Sequence, residues 1–288
     1  MRGAIGPRAA SNAQETLLTT TRAPYSTLAV RFEDGADHLT LNRPEQLNAI
    51  NSVMLDELRM YFSGLRDDDR VKVVVLRGAG RHFCAGLDLK DPANLPGTVP
   101  ATMNLQRRLS ELVVLMRRCP QPIVALINGA ASGGGFALAL AADIRFAADD
   151  ARMNVAMARI GLTGCDLGIS YHLPRAVGVS NAAELMMGGR FVDAQRALRI
   201  GLVSDVVTRD GLDQVASLML SDMLQMSPLG LRLTKDALNM SQDAGSLEAA
   251  IAMEDRQQAL CIGAYMKEGV ASFLEKRPPD YTDANLQA

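Results

Sequence analysis

The tightest constraint on this chain is three consecutive glycines, Gly133-Gly134-Gly135, wedged between two apolar runs. PIVALIN (122–128) precedes them and FALALAA (136–142) follows. The first run reads as a buried strand, since β-branched residues suit that setting. The second reads as a helix. Glycines that open a helix expose backbone N–H groups at its positive end, where an anion or a developing oxyanion is favoured. A second stretch repeats this logic. The strand-like VKVVVLRG (71–78) passes through Gly78, Gly80 and Arg81 into Phe83-Cys84-Ala85-Gly86 of FCAGLDL (83–89). Small residues at 84–86 allow a ligand to approach the backbone, and Gly86 tolerates dihedrals closed to other residues.

Either run alone is compatible with nothing more than tight packing. Together they offer two N–H groups that, converging on a thioester oxygen, would stabilise an enolate or a tetrahedral oxyanion. The rival readings of a glycine-rich turn are not met. The G-x-G-x-x-G spacing with its later acidic residue is absent, and no G-x-x-x-x-G-K-S/T loop occurs.

Strand patterns fall at 27–33, 37–42, 71–77, 122–128, 143–148 and 203–207, with helical stretches at about 51–65, 102–118 and 134–141. This alternation predicts an α/β fold. The LAVRFEDGADHLTL segment, with Asp34-Gly35 at its centre, is a hairpin signal that marks where the fold begins. From about 210 to 275 the pattern is purely helical, each segment carrying an amphipathic stripe. The expected organisation is an N-terminal extension (1–24), an α/β core (25–208) and a helical region (209–288). Residues 1–24 superficially suit a transit peptide, but read more plainly as a simple extension.

The chain has 288 residues, a formal net charge of −2 and 48% apolar residues, which gives no electrostatic case for nucleic acid or an anionic membrane. No apolar run approaches the ~20 residues of a spanning helix. Four cysteines without C-x-x-C spacing, and three histidines that form no cluster with them, suggest no metal and fit a reducing cytoplasm. Cys84 reads as a small packing residue. Arg107-Arg108 and Arg117-Arg118 read as a solvated helix face, Tyr171 and His172 as packing or surface groups, and Glu184 as structural.

Five segments, LNRPEQLNAIN (41–51), VVVLRGAGRHFCAGLDL (73–89), PIVALINGAASGGGFALALAADIRFA (122–147), LPRAVGVSNAAELMMGGRFVDAQRALRIGLVSDVV (173–207) and EGVASFLEKRPP (268–279), occur in an order that resembles the crotonase superfamily, the enoyl-CoA hydratase/isomerase family. The resemblance runs from about Ser26 to Tyr281. It implies a spiral of ββα units with a C-terminal helical region that builds a homotrimer or a dimer of trimers. It implies an acyl-CoA thioester as ligand, with no cofactor beyond that coenzyme A. The implied oxyanion-hole donors are the N–H groups of Ala85 and Gly134. Ala85, Gly86, Leu87, Asp88, Gly133 and Met157 would line the acyl site, and Arg43 and Lys276 would be the cations near the coenzyme phosphates. The usual loop lysine two residues after that arginine is Glu45 here.

The chain also departs from the pattern. The two glutamates that family hydratases use to activate water correspond to Ala137 and, in MNVAMARIG, to Met157. Neither side chain can carry a proton, so the two-glutamate route to hydration is excluded. One carboxylate remains, Asp166 in GLTGCDLGISYHLPR. By position it matches an aspartate that dienoyl-CoA isomerases use as a proton shuttle, and it equally suits a helix N-cap for LGISYHLPRAV. Two functions stand open. One is double-bond isomerisation through a single base, Asp166. The other is non-catalytic acyl-CoA binding, as a carrier or sensor.

Overall fold

The computed structural model describes residues 25–95 and 97–281; the extension expected at 1–24 lies outside them. Strands β1 (Leu28–Glu33) and β2 (Ala36–Leu41) form the expected hairpin. Asp34 (φ 48°) and Gly35 (φ 86°) make its two-residue turn, with positive φ at both positions matching the strand twist. Helix α1 (Ser52–Gly64) follows, capped by the Asn51 side chain on Met54 N–H.

The spiral then winds through β3 (Val73–Gly78), α2 (Val99–Arg118), β4 (Ile123–Ile127), β5 (Ala130–Ser132) and α3 (Gly134–Ala141). After β6 (Ile144–Ala148) and β7 (Arg152–Asn154) come α4 (Ile169–Val177) and α5 (Val179–Gly188). Next are β8 (Val192–Asp193), α6 (Ala194–Arg199) and β9 (Asp205–Val207). The six-stranded sheet runs β1-β2-β3-β4-β6-β9, parallel from β2 onward, and β5-β7-β8 form a second, smaller sheet. Parallel β strands covered on both faces are apolar throughout, as the fully buried IVALI of β4 shows.

One face of the large sheet packs against the main core, with Leu39, Leu58, Phe62, Leu76, Ile127 and Phe136 all buried there. The other face, Val73, Val75, Val124 and Leu126, is covered by Leu212, Ala216, Leu220 and Met223 of α7 (Leu212–Leu224). That first helix of the C-terminal series is thus packed as part of the α/β core. Helices α8 (Pro228–Ser241) and α9 (Leu247–Glu275) follow, with Leu231 of α8 packed against that same cluster.

Glu57 of α1 ties down the start of the chain. Its carboxylate accepts from Ser26 N–H (2.6 Å), Ser26 Oγ (2.8 Å), Thr27 N–H (2.9 Å) and Thr27 Oγ1. Burial pushes its pKa up, but these four bonds outweigh burial and hold it below the usual value. A depressed folded pKa contributes stability that is present above the unfolded pKa of ~4.3 and lost as pH falls through the folded value. Glu57→Gln should therefore cost about 2 kcal/mol near neutrality. The gap from wild type should close as the pH falls below about 4, as urea midpoints at neutral and acid pH will show.

Candidate functional site

The two glycine-bearing runs meet. Cys84 N–H donates to Ala130 O (3.1 Å) and Ser132 N–H to Cys84 O (2.9 Å), so the FCAGLDL segment lies along β5. On its other side Ala85 N–H donates to Leu47 O (3.0 Å). That bond overturns Ala85 as an oxyanion donor, because its N–H is already spent within the protein.

The free donor is two residues on. Ile50 N–H bonds Gly86 O (2.7 Å) and Asp88 N–H bonds Ile50 O (2.9 Å), so the intervening Leu87 turns its own N–H away from Ile50. Gly86 makes the reversal possible. Its φ of +98° breaks the strand alternation, and a methyl there would meet Ser132 O at 2.7 Å. Across the gap, Gly134 begins α3, preceded by Gly133 at φ +51°. A methyl on Gly134 would stand 3.7 Å from Leu87 N, 3.4 Å from Ile50 Cδ1 and 3.7 Å from Leu167 Cδ1. Among the described residues neither Leu87 N–H nor Gly134 N–H has a protein acceptor. Two unspent donors facing one small space, one of them at a helix N-terminus, favour a carbonyl oxygen that gains negative charge.

The two positions at which the resemblance puts the hydratase glutamates hold buried apolar side chains. Ala137 is buried one turn into α3, its N–H bonded to Gly133 O (3.0 Å). Met157 is buried in the 3-10 segment Ala156–Ile160, whose Ala156 Cβ would lie 3.5 Å from a methyl on Gly133. Cys84 is buried and its thiol is pushed up to about 12 by burial, which suits the packing role.

Asp166 sits beside the gap by way of its neighbour. Leu167, whose side chain reaches toward Gly134, has φ +46°, a strained conformation for a branched residue. Leu167 N–H (2.8 Å) and Gln106 Nε2 of α2 both donate to Asp166 Oδ1. Among the described residues none donates to Oδ2. The helix-cap reading of Asp166 is corrected: the N-cap of α4 is Gly168, with no side-chain cap, and Asp166 contributes only its carbonyl, to Ile169 N–H (2.8 Å). The glycine at 168 takes the left-handed cap position (φ 75°), which moves the boundary two residues past the aspartate.

The two cations that the resemblance puts near the coenzyme phosphates differ in their protein partners. Arg43 is half-buried, its Nη1 on Asp88 Oδ2 (2.9 Å) and on Ala49 O. Lys276 closes α9 as an exposed left-handed C-cap (φ 56°), with no ion pair among the described residues. Arg117 corrects the solvated-face reading: it is half-buried, paired with Asp143 (2.8 Å) and bonded to Asn239 of α8. Tyr171 donates to Asp243 (2.6 Å), Glu184 pairs with Arg196, and burial with three nearby arginines pushes His172 down to about 4, so it is neutral at physiological pH. A cavity of about 1130 Å³ between α2, α4, α8 and α9 is lined by neither Leu87 nor Gly134.

The residue that sequence reasoning missed is Asn48. Fully buried, it accepts from Arg43 N–H (2.9 Å) and donates to Ala79 O (2.9 Å) and His82 O (2.7 Å), knotting the RPEQLN loop to the loop after β3. Asn48 and Leu47 both hold positive φ, 55° and 54°, and an asparagine beside a turn was the only signal.

Fold and site together define a ββα spiral in which Leu87 N–H and Gly134 N–H, close in space, have no protein acceptor among the described residues. The chain matches the family model for enoyl-CoA hydratase/isomerase over residues 31–284. It is 41% identical over 256 residues to a Mycobacterium tuberculosis protein named probable enoyl-CoA hydratase EchA12, covering 85% of this chain and 88% of that one. It is 36% identical to the 1,2-epoxyphenylacetyl-CoA isomerase of Escherichia coli, covering 87% and 96%. The crystal structure of an enoyl-CoA hydratase from Bacillus anthracis superposes with a TM-score of 0.84 at 31% identity, covering 88% and 98%. The chain belongs to the enoyl-CoA hydratase/isomerase family and has the crotonase fold.

Proposed function

We propose that this protein binds an acyl-CoA thioester with its carbonyl oxygen between Leu87 N–H and Gly134 N–H, and moves a double bond with Asp166 as the single proton carrier. The observation that supports the reading is that Leu167 Cδ1 lies 3.7 Å from where a methyl on Gly134 would stand, with Asp166 the preceding residue in the chain. In a 3-enoyl-CoA, the Asp166 carboxylate takes a proton from the α carbon. The electrons pass into a dienolate whose oxygen the two N–H groups stabilise. The Asp166 carboxylic acid, whose proton exchanges with solvent, then delivers a proton to the γ carbon, leaving a 2-enoyl-CoA. One carboxylate suffices, and this proton transfer calls for no metal or redox group. Hydration would need a second positioned acid or base, which Ala137 and Met157 do not supply. The Escherichia coli relative is likewise named an isomerase of a CoA thioester, there an epoxyphenylacetyl-CoA.

The apolar walls at Ala137 and Met157 favour one other reading, a carrier or sensor that binds acyl-CoA without chemistry. Incubating the protein in heavy water with 3-enoyl-, 2-enoyl- and 2,4-dienoyl-CoA and weighing the products separates them. Deuterium at the α or γ carbon supports the isomerase. Binding with neither label nor water adduct supports the carrier, and a water adduct overturns both.

The assembly we propose is a trimer or a dimer of trimers. Its support is the apolar surface of α9, where Leu247, Leu260, Phe273 and Leu274 are 71%, 59%, 81% and 73% exposed. Large apolar side chains left this exposed along one helix support an interface, and a second copy of the chain is the proposed cover. Sedimentation should give three or six chains, and Phe273→Glu with Leu274→Glu should lower that number. A monomeric wild type would overturn the assembly.

A further inference from the structure

The geometry points to Arg43 and Asp88 as a positioning pair that aims Leu87 N–H into the pocket, a role that rests on the donor assignment proposed above. The Leu87 side chain packs half-buried against the main core. The direction of its N–H is fixed by the flanking peptides, through Gly86 O and Asp88 N–H on Ile50. Asp88 is the rigid end of that clamp. Its Oδ1 accepts from Lys90 N–H (3.0 Å), its Oδ2 from Arg43 Nη1 (2.9 Å), and its carbonyl from Asn94 Nδ2 (3.0 Å). Asn94 Nδ2 also donates to Ile50 O (2.9 Å), so it joins both sides of the clamp. Arg43 reaches in the same way from Asp88 to Ala49 O, the residue before Ile50. The pair is largely shielded, with side chains 16% and 11% exposed, so its attraction is little screened and the loss of one partner strands a charge. The guanidinium expected to meet phosphate is therefore committed to holding two backbone segments in register beside the donor.

A phosphate contact and a positioning role make opposite predictions. Binding is measured for an acyl-CoA thioester and for the matching thioether, in which a methylene replaces the carbonyl. Both carry the whole coenzyme, and only the thioester has an oxygen for Leu87 N–H. Wild type should prefer the thioester by at least ~10-fold, the worth of about 1.4 kcal/mol. Arg43→Gln should reduce that preference to about threefold or less while leaving thioether binding intact, and Arg43→Lys should recover part of it. α-Proton exchange should fall by ~10²-fold, as expected when one oxyanion donor is lost. Should Arg43→Gln fail to fold, Arg43→Gln with Asp88→Asn removes both charges together and reads the same ratio. Equal weakening of thioester, thioether and free coenzyme A would make Arg43 a coenzyme contact and overturn the proposal, as would an unchanged preference in the variants. A wild type without any thioester preference would instead fail the donor assignment itself.

Discussion

Gly134→Ala should leave the fold intact and silence the site, whereas Gly135→Ala, one residue further, should unfold the region. The two glycines differ in what a methyl would meet. At Gly134 the nearest atoms are Ile50 Cδ1 at 3.4 Å, Leu167 Cδ1 at 3.7 Å and Leu87 N at 3.7 Å, ordinary contacts at a residue with helical backbone. Folding tolerates that methyl, and Gly→Ala at a compatible helical position adds ~0.5 kcal/mol. Yet the methyl stands between the two proposed donors, where the carbonyl oxygen belongs, and removing even one such donor costs ~10²–10³ in rate. At Gly135 the methyl would meet Cys84 O at 2.2 Å, Cys84 Cβ at 2.7 Å and Cys84 C at 2.8 Å. No rotamer change relieves contacts with backbone, so α3 and the FCAGLDL segment must separate. Overpacking of this kind costs about 3 kcal/mol or more, lowering Tm by on the order of 10 °C. Calorimetry and acyl-CoA titration on the two variants check the contrast. Equal stability of both would show that the contact of α3 with Cys84 is not rigid, and thioester binding by Gly134→Ala at wild-type strength would remove the donor assignment.

Asp166→Asn should abolish deuterium exchange while preserving acyl-CoA binding. Asparagine keeps an oxygen for Leu167 N–H and Gln106 Nε2 at the Oδ1 position, so the corner beside Gly134 stays as it is. What it loses is the capacity to take up a proton, and removal of a positioned acid–base group lowers turnover by up to ~10⁴-fold. Because the substitution changes neither size nor the bonds at Oδ1, its effect reports proton transfer rather than folding. Full exchange in the variant would rule out Asp166 as the carrier.

Much of this molecule was legible along the chain. The β-branched runs and the Asp34-Gly35 turn placed the hairpin and the parallel strands, because strand and turn preferences act over a few neighbouring residues. The Gly133–Gly135 run marked the helix that points at the site, since only glycine allows such a turn and such close backbone approach. The apolar residues at Ala137 and Met157 were equally plain, and the proposal of isomerisation over two-glutamate hydration rests on them. Tertiary structure decided the rest. Whether Ala85 or Leu87 offers a free N–H depends on where Leu47 O and Ile50 arrive, and they arrive from a distant loop. Whether Arg43 meets phosphate or carboxylate depends on Asp88, brought to it only when that loop packs against the one after β3. The end of α4 shifted for the same reason, because Gly168 rather than Asp166 meets the geometry of the cap. A sequence states which groups are available, and hydrogen bonds between remote segments determine which of them remain unspent for a ligand.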